Sequence, residues 1–179
     1  MLRGVLTLPL VALLGGCGGM GGAPSASTAA PMSDPYGTGG PPAIGRITDA
    51  GGPGWTTYDF SVGAVDPSAH VSPRDGVPTL TLVGFPPGEP FAESGRLQIT
   101  APLAAVAPGP ASGTARISGG EVPLEGPATV TIDAVSPPAP DELLGRISGS
   151  YSARLCPAGG ADAGCESHAG TFSTRAALP

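Results

Sequence analysis

Cys165-Glu166-Ser167-His168 places a thiol and an imidazole at Cys-x-x-His spacing, and Cys156 stands nine residues earlier across "PAGGADAG". Two chemistries fit this cluster. Two thiolates and an imidazole could hold zinc or copper if one more ligand joined them, or the two cysteines could close a disulfide. Cys17, the third cysteine, stands apart in "LLGGCGG". The other histidine, His70, lies in "DPSAHVSPRDG", which reads as a solvated loop between turns. No Gly-x-Ser-x-Gly elbow presents a nucleophile. The serines of Ser148-Gly149-Ser150 belong to a strand-like run, as outward polar positions. Asp66, Asp75, Glu89 and Asp141 are scattered through turn-like segments and form no pair at glycosidase spacing. No glycine loop follows a strand and opens a helix, so a phosphate cradle is not expected. These residues imply no catalytic set, no bound metal and no cofactor.

The elements that must carry this chemistry are bounded by composition. The chain has 179 residues, room for one domain and a tail. Its 30 glycines and 23 prolines reach the level at which disorder becomes common. The second half counters this with β-branched residues alternating with polar ones. All eight basic residues are arginine, asparagine is absent and Gln98 is the sole glutamine, the pattern of a GC-rich genome. Without asparagine there is no N-glycosylation acceptor. The formal charge of −6 argues against a nucleic-acid partner, which needs a basic surface to displace counterions.

The N-terminus has the parts of an export signal. Arg3 supplies a positive charge, and "GVLTLPLVALL" (4–14) is an apolar stretch of h-region length. It is too short to span a bilayer, and Pro9 interrupts it. Leu14-Gly15-Gly16-Cys17 then resembles the lipobox of bacterial lipoproteins. That resemblance covers residues 1–17 alone. It implies removal of a signal peptide 1–16, a diacylglyceryl group on Cys17 and anchorage to a membrane of the cell envelope. In a Gram-negative cell, Gly18 rather than Asp after the cysteine implies the outer membrane. Residues 17–42, rich in Gly, Pro, Ser and Ala without hydrophobic period, form a flexible tether. A chain of about 25 such residues spans roughly 25–30 Å. The envelope is oxidising, so with Cys17 assigned to lipid the remaining pair, Cys156 and Cys165, is expected to form a disulfide.

From Ala43 to the C-terminus, short runs of period 2 are separated by Pro, Gly and Asp clusters, predicting an all-β domain. The architecture expected for 43–179 is an antiparallel β-sandwich, or a barrel, behind the disordered tether. Strands are expected near 43–49, 55–65, 78–84, 95–101, 113–118, 128–135, 144–156 and 166–177. In "ATVTIDAV", Val130, Ile132 and Ala134 should share one face. Leu97 and Ile99 should face inward, as should Tyr58, Phe60 and Val62 together. Three similar triplets, Arg46-Ile47-Thr48, Arg116-Ile117-Ser118 and Arg146-Ile147-Ser148, read as inward isoleucines flanked by outward polar residues.

If Cys156 and Cys165 face each other in a hairpin, its register follows. Phe172 then lies opposite Gly149, and Tyr151 opposite Gly170, on the inward side. Ser150, Ser152 and Arg154 meet Thr171, Ala169 and Ser167 outside. In "GFPPGEPF", Phe85 and Phe91 flank a stiff turn, either capping the core or forming an apolar contact for a partner. The whole reads as a lipid-anchored envelope protein, non-catalytic, with a binding or structural role toward a protein or glycan. The alternative is an envelope hydrolase gathering His70 or His168 with a serine and an acid.

Overall fold

A computed structural model describes residues 39–61, 66–119, 122–159 and 164–179. Residues 1–38, which hold the segment expected to be a signal peptide, Cys17 and most of the expected tether, lie outside the described residues, as does Val62. Among the described residues the chain forms nine strands and no α-helix: β1 (Ala43–Asp49), β2 (Gly52–Tyr58), β3 (Ala69–Arg74), β4 (Val77–Gly84), β5 (Leu97–Pro102), β6 (Gly109–Ile117), β7 (Leu124–Ser136), β8 (Gly145–Pro157) and β9 (Glu166–Ala176).

All nine belong to one antiparallel sheet in the order β2-β1-β9-β8-β7-β6-β5-β4-β3. The pairing therefore gives one continuous sheet, where a sandwich would divide it in two. Every neighbouring pair is consecutive in sequence except β1 and β9, which join the beginning of the domain to its end. The sheet curls strongly. Thr56 of β2 and Phe85, just past β4, exchange backbone hydrogen bonds of 2.8 and 2.9 Å. At the other side of the seam, Val71 N–H donates to Ala177 O at 2.8 Å and Ala177 N–H to Ala69 O at 3.1 Å. The two outer strands are thus drawn toward each other, which withdraws their edges from solvent.

Alternation decides what fills the curl. Ile47, Leu80, Leu82, Leu97, Ile99 and Val130 are fully enclosed. The small side chains of alanines 101, 115, 128 and 153 sit among them. Ile47 and Ile147 are buried and Ile117 packs partly against the core, while Arg46, Arg116 and Arg146 are exposed, as the three triplets implied. Gly84 of β4 faces Trp55 of β2 across the interior. A Cβ there would come within 3.0 Å of the Ile47 Cδ1 and 3.1 Å of the Trp55 Cγ, so only glycine allows this approach.

The β8–β9 hairpin has the expected register. Phe172 pairs with Gly149, Tyr151 with Gly170, Arg154 with Ser167, and Ser152 with Ala169. Both rings are buried. A disulfide joins Cys156 to Cys165, with Cα atoms 4.0 Å apart.

Three expectations are corrected. His70 does not lie in a loop: it belongs to β3, an edge strand that pairs with β4 from Ala69↔Leu82 to Arg74↔Val77. The turn between them is Asp75-Gly76, both at positive φ (51° and 79°), the conformation a two-residue hairpin requires. Pro73 is tolerated because the strand is at the sheet edge. Second, β2 ends at Tyr58 rather than continuing to residue 65. Third, Ala134 is exposed. Ile132 pairs with Gly149 but Ala134 with Ser148, so Asp133 is the extra residue of a β-bulge. Beyond it the faces exchange, and Val135, not Ala134, packs against the core.

Candidate functional site

One end of the curl gathers polar groups on the inward side. Asp49 is the last residue of β1, two positions from the buried Ile47, and pairs with Gly52 to close the β1–β2 hairpin. A register shift follows: Ile47 pairs with Trp55, so β2 carries one residue more than β1 between these pairs. Gly54 lies in this stretch at φ 71°, backbone that L side chains rarely adopt. The bulge brings Trp55 inward. Its indole Nε1–H donates to Gly95 O at 2.8 Å, which fixes the ring against the β4–β5 connection.

His168 enters from β9, on the same inward face as Gly170 and Phe172 and opposite Ala153. Its Nδ1 lies 3.1 Å from Asp49 Oδ2. The two side chains are 14% and 7% exposed. On the far side of the ring, Nε2 lies 3.4 Å from Glu166 Oε2, an ion-pair distance without hydrogen-bond geometry, and Glu166 is largely exposed. Trp55 and His168 stand with ring centroids 6.1 Å apart. From β8, the Tyr151 hydroxyl donates to Thr48 O at 3.1 Å. Burial pushes its pKa well up, and the Asp49 carboxylate pushes it the same way, so the phenol stays protonated as a donor.

Two buried polar atoms of this cluster have no hydrogen-bond partner among the described residues: Asp49 Oδ1 and His168 Nε2. Asp49 also lines a partly open hollow of about 290 Å³, together with Pro53, Gly54, Trp55, Pro86, Pro87, Gly95 and Ile117. Its walls are almost wholly apolar, with Asp49 as the sole charged side chain. This is the composition of a small-molecule site, apolar walls with few placed polar groups. A larger hollow of about 440 Å³ lies on the outward face over Gln98, Thr100, Thr114, Arg116 and Glu125. There Gln98, Arg116 and Glu125 form a cross-strand ladder, with Arg116 and Glu125 exposed to solvent.

The residues singled out in the sequence fall in different places. Cys17 lies outside the described residues. Cys156 and Cys165 are bonded to each other, so they present no thiolate beside His168. Among the described residues, no group of three or more His, Cys, Asp or Glu side chains could hold a metal ion. Phe85 is buried and packs edge-on to Tyr58 (5.8 Å) and at a tilt to Phe60 (5.4 Å), with the Arg96 guanidinium 6.0 Å from its centroid. Phe91 is 65% exposed and rests against Phe60 at 6.1 Å. His70 Nδ1 lies 3.2 Å from Pro67 O, far in the chain from any carboxylate of this cluster.

Asp49 and Trp55 were not singled out by their residue types. Their signal was parity: Asp49 shares the inward side of β1 with Ile47, and an inward carboxylate on an alternating strand marks a site rather than a surface. No protein-family model, curated protein or solved structure matches this chain.

Proposed function

We propose that the protein is a lipid-anchored component of the bacterial cell envelope whose β-domain binds a ligand without transforming it. The observation that carries the binding reading is the apolar cavity with one buried, incompletely paired carboxylate. The anchor rests on Leu14-Gly15-Gly16-Cys17 behind the apolar leader. Two or three acyl chains on Cys17 would hold the protein stably, where one gives only marginal binding. We read the curled sheet as a barrel-like shell, supported by the bridges from Thr56 to Phe85 and from Val71 to Ala177. In a Gram-negative cell the anchor would sit in the outer membrane.

The Asp49–His168 pair is the one feature that favours the alternative, an envelope hydrolase. A carboxylate on Nδ1 orients imidazole as a base toward a nucleophile at Nε2. What stands at Nε2 here is Glu166, an acceptor, so the arrangement lacks its reactive hydroxyl.

Fatty-acid labelling of the wild type beside Cys17→Ala tests the anchor. Label is expected on the wild type alone, and equal labelling of both overturns the anchor. Turnover of activated esters by the wild type, absent from His168→Gln, would replace binding with hydrolysis.

A further inference from the structure

Resting on the lipid-anchor reading, we infer that the end of the sheet at which the tether enters docks on the phospholipid surface that holds the anchor. In an antiparallel sheet, alternate connections fall at the same end. Here that end carries the β3–β4 turn, the β5–β6 connection (103–108), the β7–β8 connection (137–144) and the tail 177–179. The start of β1 is level with it, because Gly45 pairs with Thr174, two residues before β9 ends. The expected tether, residues 17–42, therefore joins the domain at this end.

The connections here are apolar and face solvent. "LAAVAP" (103–108) has no charged or hydroxyl side chain. Leu143 is 87% exposed and Val77 43%. Three segments meet around a partly open hollow of about 320 Å³: Val106 and Pro108 from the first connection, Pro137 and Pro138 from the second, Leu178 and Pro179 from the tail. Apolar surface gathered from separate segments into one rim marks a contact surface.

Behind the rim stands positive charge. Arg146 and Arg175 are directly opposite each other on β8 and β9. Their neighbours Ile147 and Thr174 are buried, so both arginines project outward. Arg46 of β1 is on the same outward face, paired with Ser173. Three of the eight arginines of a chain of net charge −6 thus collect beside the apolar rim. Glu142, 3.5 Å from Arg175, offsets one of them. Like charges directly opposite on a sheet destabilise it, and a phosphate group lying against them reverses that sign. Apolar side chains in the interface with arginines at phosphate level is the arrangement by which a surface lies on a bilayer. A tether of this length holds the domain at an effective concentration on the order of millimolar, so a weak contact is enough.

Full-length lipidated protein is reconstituted into phosphatidylcholine–phosphatidylglycerol vesicles carrying lipids spin-labelled near the glycerol backbone. A fluorophore is placed on Ala107→Cys, exposed at the rim, or on Arg116→Cys, exposed seven residues after the start of β6 and so roughly 23 Å along the strand. Quenching at position 107 is expected to be roughly twice that at 116 or more, and to fall by a similar factor on adding Leu143→Asp or Arg146→Gln. Leu143 and Arg146 are exposed, and the comparison of the two label positions stands without either variant. Equal quenching at 107 and 116 overturns the inference, as does quenching at 107 that neither variant alters. A blue-shifted label at 107 without lipid quenching also overturns it, and assigns the rim to a protein partner or a second copy. Protein that floats with the vesicles while position 107 stays unquenched overturns this inference alone. Protein that fails to float overturns the anchor with it.

Discussion

The Nδ1 of His168 stands 3.1 Å from the Oδ2 of Asp49, a contact between residues 119 positions apart that ties the last strand to the end of the first. Both side chains are nearly withdrawn from water, and among the described residues Asp49 Oδ1 and His168 Nε2 have no hydrogen-bond partner. The pair orders the junction of β1 and β9.

Breaking this pair should be expensive. His168→Ala strands a buried carboxylate and should lower unfolding free energy by about 3 kcal/mol, read from urea denaturation. The double variant Asp49→Asn/His168→Ala should lose less than the sum of the single losses, because the uncompensated charge is gone. Strict additivity would show that the two side chains are not coupled.

The disulfide closes a short loop at the end of an otherwise complete hairpin. In the chain-entropy picture a loop of about ten residues gives roughly 2.5–3 kcal/mol. Cys156→Ser/Cys165→Ser should therefore lower stability by up to that amount while far-UV circular dichroism stays that of a β-protein. The register survives because Phe172 and Tyr151 still seat over Gly149 and Gly170. Loss of the β signal would show that the bridge specifies the hairpin.

Gly84 is a point of close approach across the curl. Gly84→Val forces branched atoms toward Trp55 and Ile47, both buried. Overpacking of this kind costs about 1–3 kcal/mol, and the Trp55 emission maximum should move with it. A variant with wild-type melting temperature and emission would contradict the packing described.

Tyr151 gives the fold an alkaline limit. Its pKa is raised in the folded state above the ordinary value near 10. The unfolded chain therefore loses its phenol proton first as pH rises. The contribution is complete below pH about 10 and declines above it as pH climbs toward the folded value. Melting temperature should fall between about pH 10 and 12, and Tyr151→Phe should flatten that fall. Identical alkaline profiles for the two proteins would sink this account.

The β8–β9 hairpin was readable from sequence because three independent cues agreed: two nearby cysteines, two rings opposite glycines, and serines on the other side. The β3–β4 hairpin carried an equally good cue in Asp75-Gly76, but Pro73 and Pro78 concealed the alternation around it. The bulge at Asp133 left no such mark. "ATVTIDAV" alternates perfectly, and an inserted residue shows only when the partner strand is known. The cavity was half legible. Parity alone turns Asp49 inward with Ile47, and His168 inward with Phe172. That the two meet depends on β1 pairing with β9, and no turn links those strands. Long-range pairing of that kind is set by the closure of the whole sheet, which no local window contains.

That same β1–β9 seam constrains how the domain is made. A chain emerges from the ribosome N-terminus first, so β1 is synthesised before every other strand and its second neighbour after all the rest. Until residues 166–176 arrive, β1 and β8 both present open hydrogen-bonding edges. A nascent or prematurely terminated chain would thus be sticky at two places, and the domain can complete itself only once residues 166–176 have joined the sheet.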